Sequence, residues 1–187
     1  FDELLTLTTE EDSKEFFLGF ARVINTMRKS PKLIIAKVQG KTVGGGVGLV
    51  AASDYAIASA DAQVRLSELS IGIAPFVIGP AVVRKIGKSA FTEMSIDTEW
   101  KSADWALRKS LFNKVVADKE KLNIEVNALS IKLSEYSSVA MEKLKKISWG
   151  GTEDWDVLLT ERAEMSGDLS LSKFTKEFLE NFRRLKK

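Results

Sequence analysis

The chain has 187 residues, 44% of them hydrophobic and 29% charged, enough to bury one real core with a helical appendage, and it fits no disorder class. With no cysteine there is no disulfide framework and no thiolate chemistry. With no histidine, Ser-His-Asp triads, imidazole bases and nearly all zinc sites are excluded, so acid–base catalysis must rest on Asp, Glu, Lys or Tyr and no metal is expected. A net charge of +2, from 28 basic and 26 acidic residues, gives no case for nucleic-acid binding over the whole surface. No apolar run reaches transmembrane length and the N-terminus is not a signal peptide, so a cytoplasmic protein without a membrane partner is expected.

In chain order, Thr9-Glu10-Glu11-Asp12 reads as an N-cap with an acidic first turn. Phe16, Phe20, Val23, Ile24 and Met27 then follow at helical spacing, and the helix ends near Pro31. Strands are predicted at 33–39, Tyr55-Ala56-Ile57-Ala58 and 63–66, with a short helix over 46–53 between the first two. That order suggests a crossover with glycines at its first turn. Ala81 to Ile86 and Ser89 to Ile96 read as helices parted by Gly87-Lys88, Ala103 to Lys109 as another, and Asn113 to Val116 as a last strand. Everything from Lys119 reads helical, punctuated at Gly150-Gly151-Thr152 and Ser166-Gly167-Asp168. There is no internal sequence repeat and no low-complexity segment.

The run Gly44-Gly45-Gly46-Val47-Gly48 carries the most chemistry. Adjacent glycines that leave a strand and enter a helix let backbone approach a ligand, with free N–H groups aimed at negative charge. The bland alternative is a tight turn without a ligand. A phosphate loop ending at Gly40-Lys41-Thr42 would need a glycine where Ile35 stands, and a dinucleotide fingerprint from Gly44 would need one where Leu49 stands. Both fail, which leaves a backbone cradle for something other than a nucleotide pyrophosphate.

Three blocks together carry a resemblance: Gly40 to Leu49, Ala52-Ser53-Asp54-Tyr55-Ala56-Ile57-Ala58, and Leu66-Ser67-Glu68-Leu69-Ser70-Ile71-Gly72-Ile73-Ala74-Pro75. In order and spacing they resemble the crotonase superfamily of enoyl-CoA hydratases and isomerases. Ser102 to Phe112 is similar to the family's alanine-rich helix before its last core strand. The resemblance implies an α/β fold: a crotonase-like spiral, or ββα superhelix, over 1–116, and a C-terminal helical region over 117–187 that serves oligomerisation. It implies an acyl-CoA substrate, no cofactor beyond that thioester, and a homotrimer or homohexamer.

The family holds the thioester carbonyl between two backbone N–H groups, and Gly45 matches the second of them, with Gly44, Gly46, Gly48, Pro75 and Phe76 as substrate-binding neighbours. Donors fixed in a dry site stabilise the enolate oxygen that forms when a proton is removed or added beside a thioester. Glu68 matches the second glutamate of the hydratases and the single glutamate of the mitochondrial-type isomerases. A lone Glu on a loop is ordinarily a solvated charge. This one lies between Leu66 and Leu69 beside the apolar run from Ile71 to Ile78, where burial would raise its pKa and suit it to carry a proton.

Hydratases of the common type place their first glutamate where this chain has Gly48, so the two-glutamate grip on water is absent. The Ala-Pro-Phe segment is similar to isomerases, while Gly48 with Ser67-Glu68 is closer to bacterial methylglutaconyl-CoA and isohexenylglutaconyl-CoA hydratases. The leading expectation is therefore hydration of a 2,3-unsaturated acyl-CoA such as 3-methylglutaconyl-CoA in leucine breakdown. The alternatives are a 3-enoyl to 2-enoyl isomerase using Glu68 alone, and a catalytically weak acyl-CoA or RNA-binding subunit. The family's early strands and the loop that supplies the first oxyanion N–H would precede Phe1-Asp2-Glu3, so this polypeptide alone is expected to hold half an oxyanion hole. In the tail, Phe174, Phe178 and Phe182 recur every four residues beside Lys173, Lys176, Arg183, Arg184, Lys186 and Lys187. This reads first as a packing stripe with solvated charges, and the family resemblance adds a weak CoA-binding role for Phe178 and Lys176 against a neighbouring subunit. Trp100, Trp105, Trp149 and Trp155 read as packing residues.

Overall fold

The structure, a computed structural model, describes residues 3–185; Phe1, Asp2, Lys186 and Lys187 lie outside the described residues. Helix α1 spans Glu10–Lys29, with the Thr9 hydroxyl accepting from the Asp12 N–H at 3.1 Å. Acidic residues in its first turn and Arg28 and Lys29 in its last complement the helix dipole. The chain then twice makes the same circuit, a strand in one sheet, a strand in a second and a helix. The first circuit is β1 (Ile35–Val38), β2 (Lys41–Val43) and α2 (Gly45–Ala52). The second is β3 (Tyr55–Ser59), β4 (Gln63–Arg65) and α3 (Gly79–Ile96). The order then changes, with a second-sheet strand β5 (Lys101–Ser102), helix α4 (Ala103–Arg108) and a first-sheet strand β6 (Lys114–Val116).

One sheet runs β1-β3-β6, all parallel; the other runs β2-β4-β5, with β2 and β4 parallel and β5 antiparallel. Register is one-to-one across successive circuits, Ala36 opposite Ala56 and Thr42 opposite Val64. This is a spiral whose repeat lies in backbone geometry and leaves no trace in the sequence.

The single strand expected at 33–39 is therefore followed by a second, β2, before the glycines. Gly40, at φ 63°, makes the corner between the two sheets, a conformation that favours glycine. The break expected at Gly87 is real: it sits at φ 78°, ψ 160° inside α3. Helix α2, with the residues GGVGLVAA, is largely buried and packs against α1, α3 and both sheets.

The C-terminal part is α5 (Lys119–Ser134), α6 (Ser138–Ser148), α7 (Trp155–Ser170) and α8 (Lys173–Leu185). Gly150-Gly151 does separate α6 from α7. Gly167, expected to break a helix, instead lies inside α7, because a side chain there would meet the backbone of Lys14 at 3.1 Å. It is the glycine of a close helix–helix contact, and α7 runs along α1 on it.

Asp54 ties the sheets to these helices. Its carboxylate accepts from the Ile34 N–H at 2.8 Å and the Trp149 indole N–H at 3.0 Å, and pairs with Lys145 Nζ at 2.9 Å. Lys145 is only 2% exposed and also donates to the Lys32 carbonyl. Trp149, expected only to pack, is thus a hydrogen-bond donor as well. Asp54→Ala leaves a buried ammonium and an indole N–H without their acceptor, and should cost about 3–5 kcal/mol in urea-induced unfolding.

Candidate functional site

The site is built where β2 meets α2. The Gly44 N–H donates to the Arg65 carbonyl at 2.9 Å, which continues the β2–β4 ladder one residue past the strands. Gly44 then turns at φ 55°, ψ −118° and caps α2. Its bare Cα faces the next loop: a Cβ added there would lie 3.1 Å from Glu68 Oε1. Gly45 and Gly46 open the helix, and neither N–H donates a backbone hydrogen bond among the described residues. The Phe20 ring of α1 lies flush on Gly45, where an added Cβ would fall 2.2 Å from its Cε1.

Glu68 precedes a 3-10 turn at Leu69–Ile71, and its carbonyl accepts from the N–H groups of Ile71 and Ile73 at 3.1 and 3.0 Å. Two bonds to one carbonyl fix the backbone under the side chain. Oε2 is buried and has no hydrogen-bond partner among the described residues. Burial pushes the carboxyl up from 4.5 to about 7, against a smaller opposing effect of the Glu68 and Ser67 N–H groups. Leu66 is buried as expected, but Leu69 is half exposed and does not help enclose the acid.

Gly44, Gly45, Gly46 and Glu68 are thus brought together. Gly48, about one helical turn after Gly44, is buried against Ile78, whose Cγ2 an added Cβ would meet at 2.4 Å. Pro75 and Phe76 line a cavity of about 510 Å³ with Gly79, Pro80, Phe91 and Arg162, and neither Glu68 nor the glycine turn borders it. Lys176 is exposed and Phe178 half-buried on α8.

Helix α8 seats on its own chain. A Cβ on Gly72 would meet Phe174 at 2.5 Å and Thr175 Oγ1 at 2.6 Å, so the helix touches the loop four residues beyond Glu68. The expected phenylalanine packing stripe is only partial: Phe174 is 62% exposed, and the buried residues of α8 are Thr175 and Leu179. Phe20 and Ile78 are the residues that shape the site without having been singled out in the sequence. Both belong to apolar patterns that look like ordinary core, and only the glycines opposite them signal a close approach.

The profile of the enoyl-CoA hydratase/isomerase family matches residues 3–177. The chain belongs to that family. A Delta(3,5)-Delta(2,4)-dienoyl-CoA isomerase of Pongo abelii is 31% identical over 134 residues, 71% of this chain and 41% of the relative. A probable enoyl-CoA hydratase of Mycobacterium tuberculosis is 28% identical over 160 residues, 84% of this chain and 56% of the relative. The chain therefore spans about two-fifths to just over half the length of these relatives. The fold is that of solved family structures: a putative enoyl-CoA hydratase from Mycobacterium avium paratuberculosis superposes with a TM-score of 0.88 over 96% of this chain and 70% of that one, at 23% identity. One from Bacillus halodurans gives 0.85 over 96% and 74%, also at 23% identity. The enoyl-CoA hydratase/isomerase fold thus accounts for the α/β spiral and its helical C-terminal region.

Among the described residues no helix is long and apolar enough to cross a membrane, and no cluster of His, Cys, Asp and Glu suits a metal ion. The space opposite Gly48 gives a direct test of packing. Gly48→Ala should destabilise by about 1–3 kcal/mol although alanine favours helix, because the methyl group overpacks Ile78. Combining it with Ile78→Ala should cost less than the sum of the two single changes, read from denaturant midpoints in a double-mutant cycle.

Proposed function

We propose that this chain carries the proton-transferring carboxylate and one thioester-holding N–H of an enzyme that moves a carbon–carbon double bond in an unsaturated acyl-CoA. The observation that carries this reading is one carboxyl at the glycine turn, Glu68, with Oε2 buried and its pKa raised to about 7, beside a helix N-terminus with unused N–H groups. Ile78 fills the space beside Gly48, where the resemblance would put the first carboxylate of a water-gripping pair. A double-bond shift needs only one.

In this reading the Glu68 carboxylate takes a proton from C2 of a 3-enoyl thioester. The C2–H electron pair moves into the enolate, and charge gathers on the thioester oxygen facing the Gly45 N–H, where a fixed donor and the α2 dipole stabilise it. The protonated Glu68 then returns the proton at C4, so the C3–C4 double bond is lost and a C2–C3 double bond forms. A carboxyl with a pKa near the working pH serves both steps, because it gives up and regains its proton at similar cost. No cofactor enters. The isomerase name carried by the Pongo abelii relative supports this reading.

The second reading is hydration of a 2-enoyl-CoA, 3-methylglutaconyl-CoA and leucine breakdown among the candidates. The hydratase name of the mycobacterial relative favours it. Glu68 would then have to handle both the proton and the water. Separate incubations with a 3-enoyl-CoA and a 2-enoyl-CoA in ¹⁸O-labelled water decide between them: a shifted double bond in the first without a mass increase supports isomerisation, and an ¹⁸O-labelled hydroxyacyl product from the second with the 3-enoyl-CoA unchanged replaces it with hydration. A homotrimeric or homohexameric cytoplasmic enzyme remains part of the proposal, and sedimentation equilibrium tests the assembly.

Glu68→Gln, nearly isosteric but unable to carry a proton, should lower kcat about 100-fold or more with little change in KM. Equal turnover in the variant would remove Glu68 from the mechanism. As the base of the free enzyme, Glu68 should make kcat/KM rise with pH and level off above about 7.

The same group predicts a pH dependence of stability. Its folded pKa lies above its unfolded one, so the folded state holds the proton more tightly. That contribution is complete below about 4.5 and is lost as pH rises through about 7. The gap between the two values corresponds to about 3 kcal/mol. Glu68→Gln should therefore be more stable relative to wild type at pH 8 than at pH 4, by an amount approaching that figure, in urea titrations at both pH values.

A further inference from the structure

A second cavity, of about 600 Å³, opens at the far end of α2, beside Ser53 and Asp54. Eight helical residues at 1.5 Å each put it roughly 12 Å from the glycine turn. It shares no lining residue with that turn or with Glu68, and its volume falls in the small-molecule range of roughly 300–1,000 Å³. Leu129 and Leu133 of α5, Leu144 of α6, and Ile34 form apolar walls.

Against these walls stand two half-buried cations from α3, Arg84 and Lys85. The Arg84 guanidinium lies 3.8 Å over the Trp149 ring and donates to the Ser148 carbonyl. Lys85 Nζ donates to the carbonyls of Ser53 and Asp54 at 3.2 and 3.4 Å. Neither forms a salt bridge among the described residues. The nearby carboxylate, Asp54, is fully engaged by Lys145, Trp149 and the Ile34 N–H. Three cations, Arg84, Lys85 and Lys145, thus share one carboxylate, and burial pushes the pKa values of Arg84 and Lys85 down. Tyr55 lines the same cavity, and its hydroxyl makes no hydrogen bond among the described residues.

Unneutralised positive charge at the rim of an apolar cavity is matched by an anion on a hydrocarbon chain. We propose that this cavity binds a long-chain carboxylate, its alkyl chain against Leu129, Leu133 and Leu144 and its headgroup on Arg84 and Lys85, with the Tyr55 hydroxyl as a third donor. The site is independent of the acyl-thioester chemistry at Glu68. It would let a free fatty acid bind without occupying the reaction centre.

The probes are dodecanoate and dodecanol, titrated into the protein by calorimetry below the micelle concentration. One dodecanoate per chain is expected, bound at least tenfold tighter than dodecanol, with the NMR resonance of the Trp149 indole N–H shifted and that of Trp100 unmoved. Arg84→Met with Lys85→Met should abolish the preference for the carboxylate, and Leu133→Trp should weaken both ligands by narrowing the cavity. Should the double variant not fold, Lys85→Met alone is expected to reduce the preference several-fold. No dodecanoate binding, equal affinity for acid and alcohol, a preference unchanged in the methionine variants, or shifts at Trp100 instead of Trp149 would each overturn the proposal.

Discussion

The core closes on a helix in which glycine and alanine outnumber larger residues. In α2, three glycines and two alanines among eight residues let neighbours come within contact of its backbone: Phe20 on Gly45, Ile78 on Gly48, Thr42 on Gly46. Larger residues there would hold both sheets and α1 and α3 further out. Glycine inside a helix costs up to about 1 kcal/mol relative to alanine, so this arrangement is kept by packing against propensity. The contact surface it creates is large, and dispersion over many close atoms offsets the cost. The unused N–H groups of Gly45 and Gly46 are a by-product of the same construction, since a helix starting on bare backbone exposes them.

Glu68 takes its character from that turn. Because Gly44 has no side chain, a carboxyl can lie over its Cα, where the surroundings give Oε2 no donor. Burial strips water from the carboxylate and outweighs the smaller effect of the Glu68 and Ser67 N–H groups, so it holds its proton longer, and the result is an acid near pH 7. This arrangement lowers stability at neutral pH. A chain selected for stability alone would place an amide or a leucine there, so an acid kept with one oxygen buried and unpaired points to use of its proton.

Much of this was legible in the sequence, and the parts that were not share a cause. The glycine run, the acid beside an apolar segment, the cap at Thr9 and the break at Gly87 are local signals, each fixed within a few residues. Strand β2 was hidden because Lys41, Thr42 and Val43 are only three residues, with no apolar alternation to mark a face; what makes them a strand is β4, more than twenty residues on. Gly167 looked like punctuation because a helix breaker and a helix-contact glycine are the same residue, and only the backbone of Lys14 tells them apart. Pro75 and Phe76 were grouped with the site by the resemblance, yet the cavity they line is bordered neither by Glu68 nor by the glycine turn. Neighbours in sequence need not share a cavity once the chain turns at a proline.

The C-terminal helices are held by two different means, and the difference bears on how the site is kept. Helix α6 is anchored through a buried ion pair, Lys145 to Asp54, whose strength depends on low dielectric and on the further hydrogen bonds the carboxylate accepts from Ile34 and Trp149. Helix α8 has no such anchor on the Glu68 loop: it rests there through Phe174 and Thr175 against Gly72, a contact of shape alone, with Phe174 still largely in solvent. Gly72, at φ 84°, is the left-handed residue that ends the 3-10 turn carrying Glu68. The loop that holds the acid thus has its far end fixed by a glycine conformation and a packed helix, while its near end is fixed by the ladder of β2 and β4. Clamped at both ends by backbone, it can hold a carboxyl in a place that gives its Oε2 no hydrogen bond.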